Sequence, residues 1–200
     1  MSWQISQSPT GSVEGALPCD HVREVASRRG REASGSDVWA ANLMTLETTL
    51  FEQVADAVRS LMAADTERMQ LRWHRRGVKV WFGGEKPSRA HYEAQLIPRR
   101  HVDGHDGMAI EVGFHAEHKE LAHNERLLQQ LFTHESAWRS ELGDEAQAGV
   151  FLGADNWRRV SEVWLEPDLD DPELAFEMAA RLVDYLRAIE PILSSDGSNV

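Results

Sequence analysis

The stretch Gly107–Lys119 (GMAIEVGFHAEHK) constrains the fold more than any other part of the chain. Met108, Ile110, Val112 and Phe114 alternate with Ala109, Glu111, Gly113 and His115. An apolar period of two belongs to a strand with one buried face. A helical pattern follows directly, so this strand lies where sheet gives way to helix. Such a strand needs partners along its edges and a helix on its apolar side.

Partners are available nearby. Val78, Val80 and Phe82 alternate with Lys79 and Trp81 before Gly83–Gly84, and Tyr92, Ala94 and Leu96 alternate with His91, Glu93 and Gln95 before Pro98. The short connections and the polar loop Arg99–Asp106 suit an antiparallel meander. Gly149–Gly153 and Arg158–Leu165 read as two further strands, with Ala154-Asp155-Asn156 as their turn.

Three helices are predicted around these strands. Leu46, Leu50, Phe51, Val54, Ala57, Val58 and Leu61 recur at helical spacing from about Thr45, the expected N-cap, to about Ala63. Leu121, Leu128, Leu131, Phe132 and Leu142 form a second stripe, with Leu127 and Trp138 at its margins and Gly143 as C-cap. Asp171-Pro172 opens a third helix through Leu174, Met178, Leu182, Tyr185, Leu186 and Ile189, which Pro191 is expected to end. The order α-βββ-α-ββ-α predicts an α+β domain: a five-stranded, mostly antiparallel sheet with helices on one face. Its other face is expected to be polar and open.

Composition sets the boundaries of that domain. Residues 1–43 mix Gly, Ser and charges in no apolar period, as in RRGREASGSD, and read as a disordered tail. A start codon annotated too far upstream would account for such a tail. The domain is expected at 44–192, with a second disordered tail at 193–200. The single Cys19 excludes a disulfide framework and a multi-cysteine zinc site. No apolar run reaches the roughly 18 residues that span a bilayer, and the N-terminus lacks signal-peptide order. A cytoplasmic protein without membrane contact is expected. The net charge of −12 opposes nucleic acid and anionic surfaces and favours basic partners.

Candidate sites come from the polar face. His91, Glu93, Glu111 and His115 would project from one side of neighbouring strands, with Glu117 near the edge. Imidazole and carboxylate together would hold a divalent metal or share a proton; His91, Glu111 and His115 are the metal candidates. A solvated face with ordinary cross-strand pairs is the simpler reading. Eight of the nine histidines lie between His74 and His134. The run His115, His118, His123 is not HExxH, because it crosses the strand–helix junction. His101 and His105 lie in a polar loop and read as solvated.

LRWHRRGVK (Leu71–Lys79) is a basic patch in which Arg72, Arg75, Arg76 and Lys79 would meet phosphates and Trp73 would stack on a base. The acidic remainder argues against that contact. Of the seven tryptophans, Trp81 and Trp157 are expected to be exposed binding surface, and Trp138 and Trp164 core. No phosphate loop, nucleophile elbow or cysteine nucleophile is present, and no cofactor is expected.

The element order from Thr45 to Pro191 is similar to that of type III secretion chaperones and related small acidic domains. It also resembles bacterial domains of unknown function in its second half, where Trp138-Arg139 precedes Leu142-Gly143 and Trp157. The chaperone resemblance implies a non-enzymatic, homodimeric module that binds another polypeptide, and it carries over no functional residue. The alternatives are a metal-binding protein or hydrolytic enzyme built on the His/Glu cluster, and nucleic-acid contact through residues 72–79.

Overall fold

A computed structural model describes residues 49–64 and 68–195. The expected tail 1–43, the Thr45 cap, Leu46 and residues 196–200 lie outside the described residues. Helix α1 (49–61) leads into strands β1 (Met69–His74), β2 (Gly77–Phe82), β3 (Ala90–Pro98) and β4 (Met108–Ala116). Helices α2 (Leu121–Thr133) and α3 (Glu135–Leu142), strands β5 (Gln147–Phe151) and β6 (Ala154–Leu165), and helix α4 (Leu174–Ser195) complete the order.

The fold is α+β, built on an open antiparallel sheet of six strands in the order β1-β2-β3-β4-β6-β5. The predicted count of five omitted β1. In MQLRWH, Leu71 and Trp73 pack against the core while Arg72 and His74 are exposed, so the period of two was present but hidden by charge. The predicted turn at residues 154–156 is the start of β6. The chain reverses instead at Leu152-Gly153, where Gly153 takes φ +82°.

One face of the sheet carries the hydrophobic core. Val78, Val80, Tyr92, Ala94, Leu96, Ile110, Val112, Phe114 and Val160 pack against Phe51, Val54 and Val58 of α1, Leu128 and Leu131 of α2 and the Met178–Ile189 stripe of α4. Two helices differ from their sequence readings. The predicted 120–142 helix breaks at His134 (φ −114°, ψ 24°), and the break lets buried Trp138 donate its indole N–H to the Leu131 carbonyl at 2.9 Å. Leu121 and Phe132, expected on the buried stripe, are each 40% exposed. Helix α4 runs through Pro191 to Ser195, past both the expected stop and the expected start of the C-terminal tail.

The other face is polar, as predicted, but it is not open. Trp81, His91, Glu93, Ala109, Glu111, His115 and Ser161 are all buried. The Phe151 ring stands edge-on to His115 with centroids 4.7 Å apart, and Trp157 stands edge-on to Phe151. The hairpin of β5 and β6 therefore brings aromatic rings onto this side. Gly113 sits opposite Ser161, and a Cβ there would overlap the Ser161 side chain and the Val160 carbonyl. Strands β4 and β6 approach that closely only because position 113 has no side chain.

Candidate metal centre

Cross-strand register assembles the polar cluster. His91 of β3 is the direct partner of His115 of β4, and Lys79 of β2 is the direct partner of Glu93. Alternation then puts His91, Glu93, His115 and Lys79 on one side of three adjacent strands. Glu117 follows β4, held by its backbone N–H donating to the Arg89 carbonyl at 2.7 Å. One ligand atom each from His91, Glu93, His115 and Glu117 lies within 4.8 Å of the other three.

The two imidazoles point complementary nitrogens at the carboxylates. His91 Nδ1 lies 3.1 Å from the Ser88 carbonyl, which makes Nδ1 the protonated atom of the neutral ring. Its Nε2 then faces Glu93 Oε2 at 3.3 Å and Glu117 Oε1 at 3.8 Å. His115 Nδ1 faces the same Glu93 Oε2 at 3.6 Å, and its Nε2 lies 3.4 Å from Glu111 Oε1. Neither nitrogen of the fully buried His115 has a partner aligned well enough to be a hydrogen bond. Buried polar atoms are rarely left so, and each case calls for a reason.

Glu111 backs His115 from its far side. Its carboxylate accepts from Ser161 Oγ at 2.6 Å and from Gln95 Nε2 at 2.9 Å, and Arg159 Nη1, which donates to Ser161 Oγ, lies 3.7 Å away. On the opposite side, Lys79 Nζ sits 3.2 Å from Glu93 Oε2 and 3.8 Å from Glu117 Oε2. The exposed His74 reaches to 3.7 Å from Glu93 Oε1.

These neighbours set the protonation states. Burial alone would lower the His115 imidazole, but Glu111 and then Glu93 overcome it and raise it to about 9. Burial would raise Glu93, yet contacts with His115, His74 and His91 hold it well below the usual carboxylate range. Glu111 is also held low against its burial, by His115, Ser161 and Gln95. For His91 burial wins and the ring is lowered, opposed by Glu93. Near neutral pH the pair is thus a cationic His115 and a neutral His91.

Other predicted site residues go elsewhere. Trp81 is 1% exposed and donates its indole N–H to the Gly84 carbonyl at 2.9 Å, so it is not a contact surface. Trp157 is half-buried against Phe151. The side chains of the basic patch diverge: Arg72 lies over the Trp81 ring, Trp73 packs on the core, and Lys79 lies against the Glu93 and Glu117 carboxylates. Arg75 and Arg76 remain exposed at the β1–β2 turn. His101 and His105 are exposed, as read.

Residues that sequence reasoning missed complete the cluster. Lys79 shares the parity of Glu93 and was legible once register was known. Ser161 and Arg159 arrive from β6, distant in sequence. Asn124, fully buried on α2, donates to the carbonyls of His118 (2.9 Å) and Asn156 (2.8 Å) and accepts from the His118 N–H at 2.8 Å. It pins the segment that carries Glu117, and nothing in a one-dimensional pattern marks it.

No helix among the described residues is long and apolar enough to cross a membrane. No protein-family model matches the chain, and neither the curated proteins nor the solved structures compared with it contain a significant match.

Proposed function

We propose that the protein binds a divalent first-row transition metal through His91 Nε2, His115 Nδ1, Glu93 and Glu117. The observation that carries this reading is the buried His115, whose Nδ1 points at Glu93 without a hydrogen bond while Glu111 stands behind Nε2. A metal-ligating imidazole characteristically has a carboxylate or carbonyl on its other nitrogen. Glu111 fills that place for His115, and the Ser88 carbonyl fills it for His91.

The dimensions are compatible. Tetrahedral donors about 2.1 Å from one ion lie about 3.4 Å apart, so the 4.8 Å span closes if two facing side chains share a contraction of about 1.4 Å. Two imidazoles and two carboxylates suit zinc, manganese, iron(II) or nickel better than calcium or magnesium. An ion entering here displaces the Lys79 ammonium and the His115 proton, and the site's charge stays compensated.

Lys79 favours a second reading. With a cationic His115 and Arg159 it balances Glu93, Glu111 and Glu117, which would make the cluster a metal-free ion network that fixes the sheet. Titrating the chelator-treated full chain with zinc, manganese or nickel separates the two. Metal binding predicts a saturable rise in melting temperature that His115→Ala abolishes and His101→Ala leaves intact. A melting temperature that no metal moves favours the ion network.

The homodimeric, polypeptide-binding module expected from the element order, and the cytoplasmic location expected from the lack of a signal or membrane segment, remain separate proposals. The module rests on that order, on net acidity and on tryptophans expected to be exposed, of which Trp81 is buried, and sedimentation at micromolar concentration giving only monomer would remove its main support.

A further inference from the structure

A second group of histidines lies apart from the metal cluster, although the sequence runs them together. His118 and His123 stack with ring centroids 4.8 Å apart and planes 23° from parallel. They border an open groove of about 760 Å³ between the start of β3 and helix α2, together with Ser88, Arg126, Gln129 and Thr133. That volume is ample for a small ligand.

The groove is lined by one fixed cation, Arg126, and by no acid. His123 and Arg126 are three residues apart on α2 and share a face, and Arg89 is close enough to act electrostatically on His118. Neither Arg126 nor Arg89 has an ion pair with a carboxylate among the described residues. The acids that could have neutralised them are placed otherwise. Glu125 is bound to Arg158, while Glu120 acts on His118 from outside the lining. No Asp or Glu lines the groove. In a chain of net charge −12, an arginine without a carboxylate partner beside two imidazoles is a candidate for an anion.

The geometry points to a binding site for a small phosphate-bearing molecule, with the phosphate held by Arg126, His118 and His123. A guanidinium offers two parallel N–H donors to an oxyanion, and each imidazole adds a donor. Gln129 and Ser88 also line the groove; the Ser88 hydroxyl oxygen accepts from the Ala90 N–H at 3.2 Å and keeps its own proton to donate. Asn124 fixes the His118 backbone, so this histidine is positioned before any ligand arrives. The site uses none of the four proposed metal ligands and does not depend on the metal reading.

The test is a titration of the chelator-treated full chain with inorganic phosphate at constant ionic strength, read by NMR at the His118 and His123 ring protons. Acetate and chloride are the comparison anions. Saturable shifts with phosphate, weakened roughly tenfold or more in Arg126→Ala and similarly in His123→Ala, are the expected result. A double Arg75→Ala/Arg76→Ala variant, at the distant hairpin turn, should bind phosphate as the unmodified chain does. Equal shifts with chloride would overturn the proposal, as would undiminished binding in Arg126→Ala or an equal loss in the hairpin variant. Saturation by acetate with the same affinity would overturn the assignment to phosphate.

Discussion

His91 and His115 are direct cross-strand partners whose rings meet nearly edge to face, with centroids 5.6 Å apart and planes at 80°. Their inner nitrogens share one carboxylate oxygen, Glu93 Oε2, at 3.3 and 3.6 Å. Few arrangements bring two buried imidazoles so near one acid without a cation or a proton between them. In the metal-free protein that role falls to the His115 proton and Lys79. Several consequences are measurable.

Lys79 competes with the metal for Glu93 and Glu117. Lys79→Met removes a charge that binding must otherwise displace, so it should tighten zinc or manganese binding by about tenfold, equivalent to about 1.4 kcal/mol. Calorimetry on the two proteins checks this. Weaker binding in Lys79→Met would mean that the lysine supports the site.

Protons should leave as the metal enters. His115 is raised to about 9, so it carries a proton at pH 7 that a metal must remove. About one proton per ion should be released at pH 7, measured by calorimetry in buffers of different ionisation enthalpy. Release near zero would place the metal elsewhere.

The same shift makes the metal-free fold sensitive to alkali. A histidine raised from its ordinary 6.5 to about 9 on folding stabilises the native state fully below 6.5. That contribution is lost as pH rises through 9. His91 and Glu93 act on the acid side, because both are lowered and favour the fold as pH rises. The melting temperature of the metal-free protein should therefore fall between pH 7 and 9.5, and His115→Gln should flatten that limb. A flat profile in the unmodified chain would contradict the assigned charge of His115.

Strand β4 is buried on both faces, and its substitutions should show it. Ile110→Ala should cost about 2–5 kcal/mol by leaving a cavity. Glu111→Ala should also destabilise, by about 1–3 kcal/mol, because Ser161, Gln95 and Arg159 lose a buried acceptor. Gly113→Ala should cost about 1–3 kcal/mol through its overlap with Ser161. Urea unfolding measures all three, and a neutral Glu111→Ala would mean that the face is solvated.

That last comparison shows what the sequence could and could not convey. Alternation in Gly107–Lys119 placed Ile110, Val112 and Phe114 in the core, and with the alternation before Pro98 it put His91, Glu93, Glu111 and His115 together on the opposite side. Alternation reports which residues share a face, but not whether that face meets water. The burial of Glu111 depends on Ser161 and Arg159 from β6 and on rings from the β5–β6 hairpin, contacts set by tertiary register. Strand β1 was hidden because Arg72 and His74 made its exposed side look like a charge cluster. Lys79 was assigned to that cluster, whereas pairing with Glu93 makes it part of the candidate centre. Asn124 was invisible because its three hydrogen bonds go to backbone atoms.

The central claim is that His91, Glu93, His115 and Glu117 coordinate one ion. Crystals of the full chain grown with zinc, measured on both sides of the zinc absorption edge, test it directly. The account predicts one dominant anomalous peak within about 2.3 Å of His91 Nε2, His115 Nδ1 and at least one oxygen of Glu93 or Glu117, with Lys79 Nζ moved away. No peak there, or a dominant peak at His118 and His123 or at His101 and His105 with Lys79 still on Glu93, would contradict it.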